Sequence, residues 1–311
     1  MPITRRHLLA AIPALPAMAS LPGCASGPTC GIEPLGTVQL VFDQGSLMVP
    51  VKLEGIRARM LIDTGSERTT MDPFVAGLLK LPDNPTHLTR LTGVGGATEV
   101  RRDVVLPELS IGEATFNAVS LALVDSPPIK GPPISGLLGS DLLLPLDLDF
   151  DFIGGTLALY APGGCGGEPV MWSQPAMRVP LERSGRLAIV RAVLDNTEIS
   201  AVIDTGANGS IVLAEGADRL GLRPGSLAGD PSTTGHGVGG KPVAIHRHRF
   251  QSFRVGELAI NAPILSVSDS RLPGIDMLIG LDILRQQRMW LSHTAGAVFF
   301  QRTGPAFTRR V

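Results

Sequence analysis

Short apolar runs bounded by turn-forming residues recur along this chain. Residues 48–53 and 189–194 are rich in β-forming residues, and they end at Glu54-Gly55 and Asp195-Asn196, pairs that are typical of hairpin turns. The run after each turn is almost wholly apolar, as in a buried strand. The pattern therefore predicts a mainly β fold.

Helices are predicted to be few and short. Asp72 can cap a helix that has Pro73 in its first turn and runs to about Lys80. Asp141 and Asp282 each precede three apolar residues, and we interpret both as helix N-caps. The 37 glycines, 26 prolines and 4% aromatic content agree with many turns and short strands.

Composition excludes several classes of protein. Of the 311 residues, 44% are apolar and 18% are charged, so the chain can bury a core and is not a disordered tail. The formal net charge of −1, without a long Lys/Arg run, excludes a strong electrostatic case for a nucleic-acid partner. No uninterrupted apolar run reaches the ~18 residues that a membrane-spanning helix needs.

The chain contains an internal repeat. Residues 58–66, which include Asp63-Thr64-Gly65-Ser66, recur 141 residues later around Asp204-Thr205-Gly206-Ala207. Residues 137–143 recur at the same offset as 278–284. One Asp-Thr-Gly triplet is a weak signal, because it is good turn chemistry anywhere. Two triplets within the same ordered set of motifs are a strong signal of duplication.

A glycine-rich motif lies between these anchors in each copy. Gly93-Val94-Gly95-Gly96 recurs as Gly237-Val238-Gly239-Gly240, at an offset of 144 residues. Glycine allows large dihedral changes at little cost, so a paired-glycine hairpin can open and close. The alternative is that both motifs are simple tight turns, which a duplication also copies.

The two repeated aspartates indicate a specific chemistry. Asp63 and Asp204 each follow a predicted buried strand, and a pseudo-two-fold axis would bring their carboxylates close together. Like charges at that separation cannot both ionise, so such a pair shares one proton. One member can then act as a base toward water, while the protonated member hydrogen-bonds the carbonyl that is attacked.

On these motifs the sequence resembles the aspartic peptidases of the pepsin and retropepsin clan, as a retropepsin-like unit duplicated within one chain. The resemblance implies that Asp63 and Asp204 are catalytic. It also implies that Thr64 and Thr205 hydrogen-bond across the two loops. The remaining loop residues to which it gives a supporting role are Gly65, Ser66, Gly206 and Ala207.

The same resemblance, which covers about residues 45–162 and 185–303, assigns roles to the other repeated motifs. It implies that the glycine-rich tips at 93–96 and 237–240 are substrate-binding flaps. The apolar-apolar-glycine segments would pack behind the catalytic loops. Pepsins have a single flap that carries a tyrosine, whereas the only tyrosine here is Tyr160. We therefore expect two flaps.

The resemblance also predicts a difference between the two loops. In the family, a hydroxyl after Asp-Thr-Gly can donate to the catalytic carboxylate, and Ser66 has one where Ala207 does not. A hydrogen bond to the charged form lowers a pKa. Asp63 is therefore predicted to be the base, with the shared proton mostly on Asp204. The alternative is that backbone amides already satisfy both carboxylates.

The N-terminal residues have the parts of an export signal. Arg5-Arg6 and the apolar stretch after it resemble a twin-arginine signal, and residues 21–24 resemble a bacterial lipoprotein box with Cys24 as the lipidated residue. The alternative is an ordinary cleaved signal. In either case we expect an exported, periplasmic protein, attached to a membrane if Cys24 carries lipid.

Domain boundaries follow from the repeat and from glycine-rich stretches. Five segments are predicted: a signal at 1–23, a first lobe at 31–162, a Gly/Pro-rich linker at 163–178, a second lobe at 179–303 and a tail at 304–311. Cys30 precedes the first folded segment and Cys165 lies in the linker. In an oxidising compartment these two cysteines form a disulfide or stay as free thiols.

Two further motifs do not support a cofactor or a metal. Residues 235–240 match the dinucleotide pattern G-x-G-x-x-G, but a strand, not a helix, is predicted to follow. His246 and His248 could hold a metal with His236 or His293. No nearby acid or cysteine completes such a set, so we interpret these histidines as surface residues.

An alternating acidic motif also has a simpler interpretation. Asp147, Asp149 and Asp151 are spaced as in a calcium loop. The positions that require glycine and glutamate hold Phe152 and Ala158 instead. We therefore interpret the three acids as a solvated strand face.

Together the motifs predict two pseudo-symmetric retropepsin-like β-barrel lobes with an active-site cleft between them. The expected function is aspartic endopeptidase activity on peptide or protein substrates, through a dyad of Asp63 and Asp204 and without a cofactor or metal. Because both acids lie in one chain, a monomer suffices. The alternative is a non-catalytic peptide- or protein-binding module that kept the protease fold.

Overall fold

The computed structural model describes residues 32–43, 45–92, 98–125, 134–162, 170, 172–182, 185–236 and 242–302. Some predicted features lie outside these residues. They are the export signal at 1–23, Cys24, the Cys30–Cys165 pair, the glycine-rich tips at 93–96 and 237–240, and the tail at 304–311.

The first half of the described chain forms a β-rich lobe. Its elements are β1 (Glu33–Gln39), β2 (Val41–Asp43), β3 (Ser46–Leu53), β4 (Ile56–Ile62), β5 (Thr70–Met71), α1 (Pro73–Leu78), β6 (Asp83–Thr92), β7 (Thr98–Ile111), β8 (Ala114–Leu123), β9 (Gly136–Leu138), α2 (Ser140–Leu143), β10 (Asp147–Asp151) and β11 (Thr156–Ala161). Eight of these strands form one sheet in the order β2-β3-β4-β9-β5-β8-β7-β6. An additional pairing of β3 with β7 curls this sheet on itself.

The second half repeats this arrangement. Its elements are β12 (Met177–Pro180), β13 (Ile189–Leu194), β14 (Thr197–Ile203), β15 (Ile211–Val212), α3 (Ala214–Arg219), a 3₁₀ turn (Pro224–Leu227), β16 (Ser232–His236), β17 (Pro242–Arg249), β18 (Ser252–Val255), β19 (Leu258–Asn261), β20 (Ile264–Ser268), β21 (Met277–Ile279), α4 (Leu281–Leu284), β22 (Gln287–Ser292) and β23 (Ala297–Arg302). Nine strands form its sheet in the order β16-β17-β20-β15-β21-β14-β13-β18-β19. The described chain is therefore mainly β and two-lobed, which confirms the predicted fold class.

A third sheet joins the two lobes. Its order is β1-β11-β10-β22-β23-β12, so strands from both halves pair side by side. Leu148 and Phe150 of β10, and Met289 and Leu291 of β22, are buried on one face in the main core. The opposite face carries a separate aromatic cluster around Trp290. The alternation of the two faces follows from the two-residue period of a strand.

Both predicted hairpin turns are present. Glu54 and Gly55 join β3 to β4 with φ angles of 51° and 77°, and Asp195 and Asn196 join β13 to β14 with φ angles of 45° and 64°. Two consecutive left-handed residues are what a type I′ turn requires. The hairpin prediction is therefore confirmed in each lobe.

The predicted helix start at Asp72 is also confirmed. The side chain of Asp72 accepts a hydrogen bond from the Phe74 amide at 2.9 Å, and Pro73 occupies the first turn of α1. The helix ends at Leu78, slightly before the predicted end, and Lys80 then takes a left-handed φ of 50°. Among the described residues, no helix combines the length and the apolar character needed to cross a membrane.

The interpretation of the acidic motif in β10 as a solvated face is wrong. Asp147 and Asp149 are only 1% and 3% exposed. The reason is topological, because β10 is an inner strand with β11 on one side and β22 on the other. The linker residue Trp172 also covers this face, donating its indole N–H to Asp149 at 3.1 Å.

The core around the joining sheet gives a stability prediction. Phe150 is fully buried, whereas Phe74 on α1 is 66% exposed. We expect Phe150→Ala to lower the free energy of unfolding by about 3–5 kcal/mol, since it leaves a cavity in a packed core. Phe74→Ala, the matched control, should change it by less than about 0.5 kcal/mol. Urea unfolding of both variants measures the difference, and equal effects would contradict the assigned core.

Candidate active site

The aspartate of each Asp-Thr-Gly triplet lies directly after a strand of its lobe and is fixed by a neighbouring parallel strand. Asp63 follows β4, and its amide donates to the Leu138 carbonyl of β9 at 3.0 Å. Asp204 follows β14, and its amide donates to the Ile279 carbonyl of β21 at 3.0 Å. The two aspartates therefore have the same backbone support in each lobe.

Threonines tie the two loops together across the lobes. Thr64 Oγ1 donates to the Ile203 carbonyl at 2.6 Å, and Thr205 Oγ1 donates to the Ile62 carbonyl at 2.7 Å. Each hydroxyl oxygen also accepts from the opposite threonine amide at 3.1 Å. Both threonines are buried, so these four hydrogen bonds form a symmetric, water-shielded lattice beneath the acids.

The glycines of the two triplets are needed for the close approach of the opposite acid. A Cβ on Gly65 would collide with the carboxyl group of Asp204, and a Cβ on Gly206 would collide with that of Asp63. Neither glycine has a left-handed φ, so the requirement is one of space and not of backbone conformation. The two carboxyl groups themselves are close enough to hydrogen-bond each other.

This pairing perturbs the first acid strongly. Burial raises the pKa of Asp63 well above its ordinary value, and the charge of Asp204 and the hydrogen bond with it raise the pKa further. The backbone amides of Gly65 and Ser66 lower it. The Gly65 amide lies 2.9 Å from Asp63 Oδ1.

The second acid has a matching set of backbone donors. Burial raises the pKa of Asp204, but the hydrogen bond from Asp63 and two backbone amides lower it. Gly206 and Ala207 donate to Asp204 Oδ1 at 2.8 and 3.0 Å. The pKa values of both acids are therefore raised, and the two carboxyl groups titrate as a coupled pair.

The prediction that the Ser66 hydroxyl donates to the Asp63 carboxylate is wrong. The Ser66 hydroxyl donates to the Arg68 carbonyl at 3.0 Å and not to the Asp63 carboxylate. Backbone amides donate to both carboxyl groups, and these donors do not depend on the side chain that follows the triplet. This matches the alternative in which backbone groups satisfy the carboxylates.

The interpretation of Asp141 and Asp282 as helix N-caps is also wrong. The N-caps of α2 and α4 are Gly139 and Gly280. Asp141 instead accepts from the amide and hydroxyl of Thr69, at 2.8 and 2.6 Å. Its role is to fix the chain just after the catalytic loop.

The second lobe repeats this support. Asp282 accepts from the amide and hydroxyl of Ser210 at 2.9 and 2.6 Å, and the Ser210 hydroxyl in turn accepts from the Gly280 amide at 3.0 Å. The Thr69–Asp141 and Ser210–Asp282 pairs are each separated by 72 residues. This repeated hydroxyl–acid spacing is the sequence signal that could have identified both pairs.

Arg68 breaks the symmetry of the two lobes. Its guanidinium lies 2.9 Å from Asp103, which is fully buried, and 3.3 Å from Asp141. The corresponding position in the second lobe is Gly209. Sequence reasoning missed this ion-pair network, since Asp103 lies on a distant strand and no local pattern connects it to Arg68.

Two hairpins occupy the places predicted for the flaps. In the first lobe β6 pairs with β7 up to Thr92 and Thr98, and in the second β16 pairs with β17 up to His236 and Pro242. The glycine-rich residues that would join these strands, 93–96 and 237–240, lie outside the described residues. A strand follows the second glycine motif, as predicted.

The histidines do not form a metal site in the described part of the chain, where no group of three or more potential ligand residues is found. His248 Nδ1 lies 2.7 Å from Asp230, and its ring packs edge-on against Phe250. Burial lowers the pKa of His293. His246 and His248 are both partly buried on β17.

Comparison with known families agrees with this geometry. The family profile for aspartyl proteases matches the chain twice, at residues 49–142 and 190–283, and each match contains one Asp-Thr-Gly loop. The two matches together cover more than half of the chain. The chain therefore belongs to the aspartyl protease family, as an internally duplicated retropepsin-like member. A search of curated proteins gave no match.

Because the pKa of Asp63 is raised in the folded protein, replacing this carboxyl by a neutral group is predicted to stabilise the fold at neutral pH. A carboxyl with a raised folded-state pKa stabilises the fold below its unfolded value, near 3.8, and this contribution is lost as the pH rises through the folded value. Asparagine is neutral at every pH, so it does not bring the cost of ionising a buried carboxyl group at neutral pH. We expect Asp63→Asn to raise the melting temperature at pH 7 by more than about 2 °C.

Thermal unfolding at several pH values tests this expectation. The difference in melting temperature between Asp63→Asn and wild type should shrink as the pH falls to about one unit below the ordinary aspartate pKa. There the wild-type carboxyl is largely protonated in both the folded and the unfolded state. Asp269→Asn, at an exposed position, is the matched control and should not change the melting temperature. A lower melting temperature for Asp63→Asn at pH 7 would contradict the raised pKa.

Proposed function

We propose that this protein is an aspartic endopeptidase in which Asp63 and Asp204 act as a shared-proton dyad. The observation that carries the proposal is the mutual approach of two buried carboxyl groups whose pKa values are both raised. Membership of the aspartyl protease family supports it. Acid–base catalysis also requires acids whose pKa values are shifted from their ordinary values, as those of this pair are.

In the first step one acid of the pair is the base and the other is the proton donor, and we propose Asp204, whose Oδ1 accepts two backbone amides, as the base. The Asp204 carboxylate takes a proton from a water molecule whose oxygen attacks the carbonyl carbon of the peptide. Asp63 donates its proton to the carbonyl oxygen, so a neutral gem-diol forms. General base and general acid thus act on the same step from opposite carboxyl groups.

The same groups complete the reaction. As the C–N bond breaks, the leaving nitrogen takes the proton held by Asp204, and one hydroxyl of the gem-diol returns its proton to Asp63. The products are a carboxylic acid and an amine, and the dyad regains its initial protonation state. No cofactor or metal is required by this balance.

The substrate is proposed to be an extended peptide that lies between the lobes, beneath the hairpins β6–β7 and β16–β17. Hairpins that close over a cleft exclude water and position the scissile bond. Because one chain supplies both acids, we propose that the active species is a monomer. The sizes and preferences of individual subsites depend on residues that include the glycine-rich tips.

Digestion of a peptide library by the purified protein tests the activity. Asp63→Asn and Asp204→Asn should each lower kcat/KM by at least ~10²- to 10⁴-fold, because neither carboxyl alone supplies both the acid and the base. The exposed variant Asp269→Asn should retain wild-type activity. Peptide binding by wild type without any cleavage would instead favour the binding-module alternative.

We further propose that the protein acts outside the cytoplasm and is anchored through Cys24. The export-signal and lipoprotein-box resemblance of residues 1–24 supports this proposal. On cell fractionation the wild type should partition with membranes, whereas Cys24→Ser should be found in the soluble fraction. Equal partitioning of the two proteins would rule out the lipid anchor.

A further inference from the structure

The sheet that joins the lobes contains an ion pair between them. Asp149 lies on β10 of the first lobe and Arg288 on β22 of the second, and these strands are direct neighbours. Arg288 Nε lies 3.0 Å from Asp149 Oδ1, and its terminal Nη2 lies 2.7 Å from Oδ2. This fork-like arrangement is the strongest and most directional form of an Arg–carboxylate pair.

The linker between the lobes closes over the same pair. Trp172 donates its indole N–H to Asp149 at 3.1 Å, and its ring centroid lies 5.2 Å from the Arg288 guanidinium carbon. Trp172 also packs edge-on against Trp290, which stacks on Tyr160 at 4.8 Å between centroids. Both lobes and the linker therefore meet at one carboxylate that is 3% exposed.

The two strands of the ion pair lead back to the two acid loops. β10 follows α2 and β9, whose Leu138 carbonyl holds the Asp63 amide at 3.0 Å. β22 follows α4 and β21, whose Ile279 carbonyl holds the Asp204 amide at 3.0 Å. A shift of β10 along β22 would consequently be transmitted through short, packed elements to the carboxyl groups.

Apolar packing alone does not fix the register of β10 against β22. Leu148, Phe150, Met289 and Leu291 alternate with polar positions, so a slip by one residue would expose them. A slip by two residues preserves the alternation. A bidentate ion pair has one geometry and so discriminates against that slip.

Duplication does not account for the pair. The positions related to Asp149 and Arg288 by the repeat offset are Trp290 and Asp147, which form no ion pair. The charged fork is therefore a feature of one side of the pseudo-two-fold axis and not a copied one.

We propose that Asp149 and Arg288 are positioning residues, whose fork, covered by Trp172, sets one lobe against the other and thereby the mutual approach of the two catalytic carboxyl groups. This proposal rests on the proposed peptidase function. Arg288 and Tyr160 are the titratable groups next to Asp149 on the neighbouring strands, and Asp147 and Asp151 are the nearest acids on β10. Burial raises the pKa of Asp147. The pKa values of Arg288 and Tyr160 are both raised, so neither group titrates in the acid range.

Three variants separate positioning from stability. Arg288→Met leaves Asp149 buried without its partner. Arg288→Lys keeps the charge but loses the fork. The double variant Asp149→Leu/Arg288→Met removes both charges and keeps an apolar pair, an exchange that buried ion pairs often tolerate without unfolding. Arg271→Met, which breaks the exposed Arg271–Asp218 pair of 2.8 Å, is the matched control.

Peptide-cleavage kinetics are compared for the variants that fold. Fluorescence monitors folding at the junction, because Trp172 and Trp290 are the only two tryptophans of the chain. We expect the double variant to lose about ten- to a hundredfold in kcat with KM nearly unchanged, since small misplacements act on the chemical step. Arg288→Lys should lose less, and Arg271→Met should match wild type.

The pH profile adds a readout that a loss of stability would not change. If the lobes are held less closely, Asp63 and Asp204 lie farther apart and repel each other less. The higher pKa of the pair then falls, so the alkaline limb of the pH–rate profile should move to lower pH. A folded double variant with wild-type kcat and a wild-type alkaline limb would overturn the positioning role.

Failure of the proposed function gives a different result. A wild type that cleaves no peptide overturns the peptidase proposal. In that case the separation between the two dyad titrations, measured by ¹³C NMR of the aspartate carboxyl groups, tests positioning without turnover. A smaller separation in the double variant would support positioning, and an unchanged separation would overturn it.

Discussion

The repulsion between two carboxyl groups that face each other is the constraint on which the rest of this structure depends. Bringing Asp63 and Asp204 into contact inside a protein is unfavourable for folding, because neither desolvation nor like charge favours two ionised groups. The approach persists because the surrounding chain leaves little freedom. Buried threonine hydrogen bonds lie beneath the acids, and Gly65 and Gly206 leave space for the opposite carboxyl group.

The support of the dyad is symmetric near the acids and asymmetric farther away. The parallel-strand contacts and the Thr69–Asp141 and Ser210–Asp282 pairs occur in both lobes. The Arg68–Asp103 network and the Asp149–Arg288 pair occur once. Duplication thus accounts for how each acid is held, whereas single-copy ion pairs distinguish the lobes.

The sequence was sufficient for features that are local or repeated. The hairpin at Glu54-Gly55 and the cap at Asp72 depend on adjacent residues, and the fold class followed from two copies of one motif set. The errors concern residues whose partners are distant in the chain. Asp149 alternates like a solvent-facing residue, but Arg288 of β22 and Trp172, both distant in the chain, bury it. Ser66 was misjudged for a different reason: its partner, the Arg68 carbonyl, is only two residues away, but the direction of its hydroxyl depends on the path of the loop.

Titration of the two aspartate carboxyl groups by ¹³C NMR in the wild-type protein tests the central claim most directly. A shared-proton pair predicts two coupled steps, of which the higher lies well above the ordinary aspartate pKa. Assignment of the signals comes from the Asp63→Asn and Asp204→Asn proteins. Two independent titrations near the ordinary aspartate pKa would contradict the account.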